Sequence, residues 1–562
     1  MKDEEESFIS RLLHSTLGAL RDVWLAGLAL TVLTTLPYAA AALRTPPGYV
    51  FTGVLTAYDD TFTYFAWIRQ SADGHLFMCD LFTSEPQSCE FFLPLWNFLG
   101  VIAGVTRLPI PVTFHVARLL AGLLLLIGAR TIAVSVMKSR TRVRYSLWLY
   151  AMSGGLGWLV YVLKNRIDLF AASAPSGSVD LNMPEAIAFR SVFAQVHFAI
   201  GAALIFASIK LLFSALVHKK PSRAIVAGIL VSLLAVVHPY LVVVVCSVAV
   251  VALCTWPWLN NARSARRSDC RSVAGITAAF GATIFPGVAY LFYLNKSNEV
   301  LREWLRITDT LSPPPWEYAL GFGIVVVLSV FGFRLLWSAR APYGRLLLIW
   351  AVVQGALLYA PVNFQRRLVE GLQLPLSIAA SVALFWIARR VFKGAAAARY
   401  RSLFLTGVIT FASLTNFGFV IGQIVARSSS STDSRRYLPA DLVAAFDWLR
   451  TKSDHDAVLF SSYLTGNLAP SMTGLHVFLG HYGQTIRSDE KGAQVTAFYT
   501  GALSDEAARQ LFSEHRVRFV VYGPFERAIS DSVAAPTWLK LAYRNGGVEV
   551  FEVTQEHGSG PP

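Results

Sequence analysis

Apolar residues fall along this chain in long runs broken by short polar and basic segments. The runs cover 23–43, 111–137, 145–162, 191–217, 224–237, 241–256, 273–294, 318–337, 346–361, 374–387 and 403–425. A hydrocarbon core takes about 20 apolar residues per helix, so these runs predict about eleven transmembrane crossings. The first run is too long for a signal-peptide core and no small-residue cleavage site follows it, which predicts a retained helix. A further run, 91–105, is left over, and counting it as a crossing would put the basic segment 138–144 outside. It is expected to lie along or re-enter the outer surface, within one long loop spanning 45–110.

Beyond residue 425 the pattern changes. A polar linker, 426–434, leads into a tail, 435–562, where apolar residues take helical spacing over 441–450 and 504–515 and form short β-rich runs over 457–463 and 517–523. The second helix opens with a Ser cap signal. Alternating helix and strand predict a small α/β domain. The expected architecture is mainly α: a polytopic membrane domain over 1–425 and an extracytoplasmic α/β domain over 435–562.

Composition agrees. Of 562 residues, 54% are hydrophobic and 15% charged, against roughly 25% charged in soluble domains. The net charge of +14 does not imply nucleic acid. Its basic residues cluster between apolar runs, at 138–144, 218–223, 263–271, 334–345 and 389–401, where the positive-inside rule places cytoplasmic loops. An odd number of crossings then sets the tail outside, as expected for a bacterial inner-membrane protein facing outward. Cys79 and Cys89 share the long outer loop, where oxidation is allowed, so a disulfide between them is plausible, with two free thiols as the alternative. Closing so short a loop would add roughly 2–3 kcal/mol.

Four stretches carry candidate chemistry. "AYDDTFTYFAWIRQ" (57–70) sets Asp59 and Asp60 ahead of Phe62, Phe65 and Ile68 at helical spacing, predicting an amphipathic interfacial helix with both carboxylates at its amino-terminal end. One aspartate is accounted for by capping and the helix dipole; a second, repelled by the first, points to a site. The segment 168–198 holds Asp180, Glu185, Arg190 and His197, ionisable groups at the entrance to a crossing. His238-Pro239-Tyr240 joins two short runs, where irregular backbone needs protein or water around it. "PVNFQRRLVEGLQLP" (361–375) sets Arg366, Arg367 and Glu370 outside, against the positive-inside trend; a guanidinium fork suits a phosphate or diphosphate. Lys296, Arg302 and Arg306 add to that field. In the tail, "SMTGLHVFLGHYGQT" (471–485) reads as a Gly-rich strand and turn carrying His481 at the surface, with acceptor contact as an alternative.

An acidic pair in "YDDTFTYFAWIRQSADG" directly after the first crossing, the element "FFLPLWNFLG", a basic loop after the next crossing and an outer α/β tail together resemble the GT-C superfamily of polyprenyl-phosphate-sugar glycosyltransferases, of mannosyltransferase and aminoarabinose-transferase type. The resemblance implies that an aspartate of the first-loop motif is the catalytic base, Asp60 or Asp59. The family motif is often Asp-Glu where this chain has Asp-Asp. An aromatic commonly follows the base by four positions, as Tyr64 follows Asp60. It also implies a lipid-linked sugar donor, transfer with inversion to a glycan, lipid or protein acceptor, and, in some members, a divalent metal such as Mg or Mn; Asp59, Asp180, Glu185 and His197 are the candidate ligands here. No phosphate-binding glycine loop or zinc-type Cys/His spacing is present. The alternatives are a lipid or saccharide transporter or flippase, which paired repeats would favour, and a non-catalytic relative.

Overall fold

The computed structural model describes residues 2–163, 177–259, 266–307, 309–425, 435–452, 456–530 and 535–553. The linker 426–434 and the start of the 168–198 stretch lie outside the described residues. The chain is mostly helical with a small carboxy-terminal sheet, and it is a multi-pass membrane protein. It divides into two compact units: Met1–Pro37, Val116–Leu291 and Asp309–Val425 form the first, and Tyr38–His115, Phe292–Thr308 and Ala426–Pro562 the second.

Among the described residues, seven helices are long and apolar enough to cross a membrane: Leu20–Leu43, Ile110–Val136, Arg140–Leu163, Val196–His218, Leu241–Leu259, Cys270–Ser297 and Gln365–Val391. Two bent pairs, Pro315–Phe322 with Ile324–Ser338 and Ala397–Ala412 with Leu414–Val425, raise the number to nine. Eleven crossings were expected. The other two expected runs also form helices, Pro221–Val237 and Pro342–Leu357, of 17 and 16 residues, at the lower edge of the length that spans a hydrocarbon core. The first bent pair turns through 89° at Gly323, whose φ of +51° is one that a side-chain-bearing residue rarely adopts.

In the first unit, the Arg140–Met152 and Gly157–Leu163 helices are separated by a short break. Asp180 fills it, its carboxylate accepting the Gly155 N–H at 2.7 Å and the Gly157 N–H at 3.2 Å. These are amides that a broken helix leaves without partners. Gln373 ties the same region together: its side-chain oxygen accepts the Ala188 N–H at 2.7 Å while its amide donates to the Ser153 carbonyl at 2.9 Å.

The second unit contains a five-stranded sheet. With β1 (Tyr49–Phe51), β2 (Tyr437–Pro439), β3 (Val458–Phe460), β4 (His476–Val477), β5 (Val517–Tyr522), β6 (Leu539–Asn545) and β7 (Val548–Val553), the order is β4-β3-β5-β7-β6, while β1 and β2 pair separately and antiparallel. Strands β4, β3 and β5 run parallel; β7 is antiparallel to β5 and forms a hairpin with β6. Phe460, Phe478, Phe498, Tyr499 and Phe512 fill the core beneath the sheet. Helix Asp505–Glu514 starts as its sequence indicates, the Ser504 hydroxyl accepting the Ala507 N–H.

The unit also contains the first-loop helices Tyr58–Ala72 and Pro94–Thr106. They cross closely at Gly100, where an added Cβ would lie 2.2 Å from Ser71 Cβ and 2.7 Å from the Ile68 carbonyl oxygen. Asn97 accepts from the Ser71 hydroxyl at 2.9 Å through its carbonyl. Phe62, Phe65 and Ile68 are buried as their spacing predicts, but so are Thr61, Thr63, Gln70 and Ser71 on other sides. The Tyr58–Ala72 helix is therefore packed within protein rather than laid on an interface. The exposed apolar residues belong to the second helix: Phe98, Val101 and Val105. Cys79 and Cys89 form a disulfide, and Gln70 clamps the loop through two hydrogen bonds to the backbone of Cys79.

Candidate functional site

The acidic pair opens the Tyr58–Ala72 helix. The residue before it, Ala57, takes a left-handed conformation, φ 49° and ψ 52°, at a cost of about 1 kcal/mol for a residue with a Cβ. This sharp entry turns both aspartates into the first helical turn, where the helix dipole favours negative charge. Adjacent positions do not share a face, and the two carboxylates part accordingly. Asp60 has a side chain 52% exposed. Asp59 is half-buried and pairs with the hydroxyl of Tyr463; burial raises its pKa, opposed by the nearby charges of His481 and Arg435. Arg435 also lies 4.9 Å above the Tyr58 ring.

His481 faces this centre. Its Nε2 is 3.4 Å from Asp60 Oδ1, and its side chain is only 4% exposed. It was expected as a surface turn histidine. The structure instead packs its ring edge-on against Phe82 and stacks it on Tyr482. Gly483 N–H donates to its Nδ1 at 3.0 Å. Gln484, three residues on, donates to the Thr63 hydroxyl at 3.2 Å. The sequence gives no local signal for these partners, since 421 residues separate Thr63 from Gln484. Tyr64 stacks face to face on Trp96, ring centroids 4.6 Å apart, and so packs the two first-loop helices together.

The first loop also carries a second polar cluster. Buried Lys491 donates to Glu85 at 2.8 Å and to the Ser84 hydroxyl at 3.1 Å, and Thr83 donates to Glu85. Burial raises Asp80 to about 7, although its carboxylate accepts the Phe82 N–H at 2.9 Å. Lys296 lies over the Phe292 ring, and Arg302 donates to the Lys296 carbonyl. Arg306 instead pairs with Glu303 on its own exposed helix face.

The first unit gathers most of the other predicted residues. Trp350 donates to Gln354 at 2.7 Å, and the Gln354 amide donates to the carbonyls of Leu368 and Glu370 at 2.8 and 2.7 Å. This chain fixes the turn that carries Arg366, Arg367 and Glu370. The Arg366 N–H donates to the Thr310 carbonyl, and Arg366 Nε lies 3.5 Å from a Glu185 carboxylate oxygen. The Arg367 guanidinium lies over the Tyr240 ring at 5.4 Å. His238 Nδ1 is 3.2 Å from Glu370 Oε2, and His197 meets His238 edge to face. Gly201, one turn beyond His197, makes room: an added Cβ there would lie 2.6 Å from Glu370 Oε1. Arg190 donates to the Leu181 carbonyl and covers the Phe419 ring. Arg190, Arg366 and Arg367 bring more cationic side chains to this cluster than Glu185 and Glu370 bring carboxyl groups.

Asp180 is engaged with the backbone amides described above. Among the described residues, no group of three or more His, Cys, Asp or Glu side chains is placed to hold a metal ion. Within the first unit, the predicted ligands Asp180, Glu185 and His197 do not form a metal-binding set, and Glu185 lies beside Arg366.

No family model matches the chain, and no curated protein matches it. Among solved structures, the crystal structure of the Archaeoglobus fulgidus oligosaccharyltransferase tethered with an acceptor peptide shares 13% identity over 90% of this chain and 69% of that one, with a TM-score of 0.50. The mycobacterial arabinofuranosyltransferase AftD shares 13% identity over 95% of this chain and 40% of that one, with a TM-score of 0.56. The chain thus shares its overall fold with these two membrane-protein structures.

Proposed function

We propose that this protein is a membrane glycosyltransferase that moves a sugar from a polyprenyl-phosphate donor to an acceptor hydroxyl outside the bacterial inner membrane. The observation that carries the reading is the acidic pair at the strained head of the Tyr58–Ala72 helix, with Asp60 open to solvent and Asp59 tied to Tyr463. Asp60 is the general base. As the acceptor oxygen attacks the anomeric carbon, its proton passes to the Asp60 carboxylate. The bond from that carbon to the phosphate oxygen breaks, its electron pair leaves with the lipid phosphate, and single displacement inverts the anomeric centre. Asp59 holds the end of the helix in place.

The leaving phosphate gains charge as the bond breaks and calls for fixed cations. Arg366 and Arg367 suit that role, on a turn braced by Gln354 and grouped with Arg190. Lys296 and Arg302 are exposed cations that suit the approach of an anionic lipid headgroup. Residues 1–425 carry the membrane helices and the proposed reacting groups, and 435–562 form the outer domain.

The test is transfer by purified protein in lipid nanodiscs, offered radiolabelled polyprenyl-phosphate hexoses and pentoses with extracted envelope glycans, lipids and peptides as acceptors. One donor is expected to be consumed, with product of inverted anomeric configuration by NMR. Arg366→Ala is expected to raise the donor KM at least tenfold. Retained configuration would rule out single displacement, and an unchanged donor KM would remove Arg366 from the phosphate site.

A further inference from the structure

Resting on the assignment of Asp60 as base, we propose that His481, contributed by the carboxy-terminal domain, is the positioning residue that holds the Asp60 carboxylate through an Nε2–H donor.

His481 has a fixed tautomer and a fixed ring. Gly483 N–H donates to Nδ1, so in the neutral imidazole the proton sits on Nε2. That nitrogen faces Asp60 Oδ1 at 3.4 Å, a spacing typical of catalytic contacts that tighten only when substrate is bound. The ring cannot swing away. Phe82 packs against its edge, Tyr482 stacks on its face, and the His481 carbonyl is held by the N–H groups of Gln484 and Thr485 at 3.0 and 2.8 Å. The Thr485 hydroxyl, in turn, donates to the Phe82 carbonyl at 2.7 Å, tying this turn to the first loop.

Asp59 repels Asp60; it has its own hydrogen bond with Tyr463 and feels His481 and Arg435, while the close Nε2 contact of His481 is with Asp60. A solvent-exposed base beside a second carboxylate needs a directional neighbour to keep one oxygen aimed at the acceptor. An N–H on a locked ring supplies that aim. When Asp60 takes up the acceptor proton, the same N–H stays on the other carboxyl oxygen.

The experiment compares His481→Gln with His481→Asn. The glutamine amide reaches the position of Nε2, whereas the asparagine amide reaches only that of Nδ1. A positioning role predicts that Gln keeps kcat within about threefold of wild type, while Asn loses at least tenfold in kcat with little change in donor KM. A role confined to the turn, through the Gly483 hydrogen bond, predicts the reverse order and would overturn the proposal. So would equal activity of both variants, or failure of both to fold. Asp60→Asn, assayed alongside, separates the two levels: if it transfers like wild type, the base assignment has failed, whereas if it is dead and Gln does not outperform Asn, only the His481 proposal has failed.

Discussion

At the residue scale, burial decides what each ionisable group does. Asp80 is the sharpest case: it is buried near Glu85, and its carboxyl is pushed up to about 7. Between the ordinary aspartate range near 4 and about 7, the folded chain binds a proton that the unfolded chain has released. Stability from this group is therefore full below about pH 4 and lost as pH rises through about 7. Asp80→Asn keeps the oxygen that accepts the Phe82 N–H and removes the titration. Its melting temperature is expected to match wild type near pH 4 and to exceed it by a margin that grows up to about pH 7 and then levels off, as followed by thermal unfolding across pH. A constant margin would mean that Asp80 is not titrating in this window. Arg366 and Arg367 stand out in the sequence as an anomaly, basic residues where the charge pattern wanted none. His481 does not, because only the fold carries its ring to Asp60.

At the element scale, close approach of the first-loop helices sets the position of the acidic pair. Gly100 lies against Ser71 and Ile68 with no room for a side chain. Gly100→Leu is expected to destabilise the second unit by about 3 kcal/mol, read as faster proteolysis of the first loop and a lower melting temperature, whereas Gly492→Ala, with open space around its Cβ position, is expected to leave both unchanged. Helix periodicity correctly marked Phe62, Phe65 and Ile68 as one apolar face, but it could not tell a face that meets lipid from one that meets protein. The difference lies in the polar residues beside them: Thr61, Thr63, Gln70 and Ser71 are buried too, and Gln70 and Ser71 have specific backbone partners. The 17- and 16-residue helices show the same limit. Hydropathy marks their apolar character but not whether they reach both membrane faces.

At the scale of the whole molecule, the account depends on orientation. Positive-inside reasoning sets the segment with Cys270 in the cytoplasm and the acidic pair outside. Cys270 is exposed and unpaired. With Cys246 and Cys254 replaced by Ser, a membrane-impermeant maleimide is expected to leave Cys270 unlabelled in intact spheroplasts and to label it after permeabilisation. Labelling of intact spheroplasts would reverse the topology and put the candidate base on the side of soluble nucleotide-sugars. The apolar runs and the change to α/β patterning after residue 425 made the architecture readable from sequence. The pairings that complete the second unit, with β1 against β2 and the first loop against the turn that holds His481, join residues hundreds of positions apart and leave no local trace.

The most direct test of the central claim is sugar transfer by Asp60→Asn and Asp59→Asn, each checked for folding and donor binding, against wild type. The account predicts that Asp60→Asn binds donor normally but loses at least a hundredfold in kcat, while Asp59→Asn retains measurable transfer. Transfer by Asp60→Asn at the wild-type rate would contradict it and reduce the acidic pair to helix-end electrostatics.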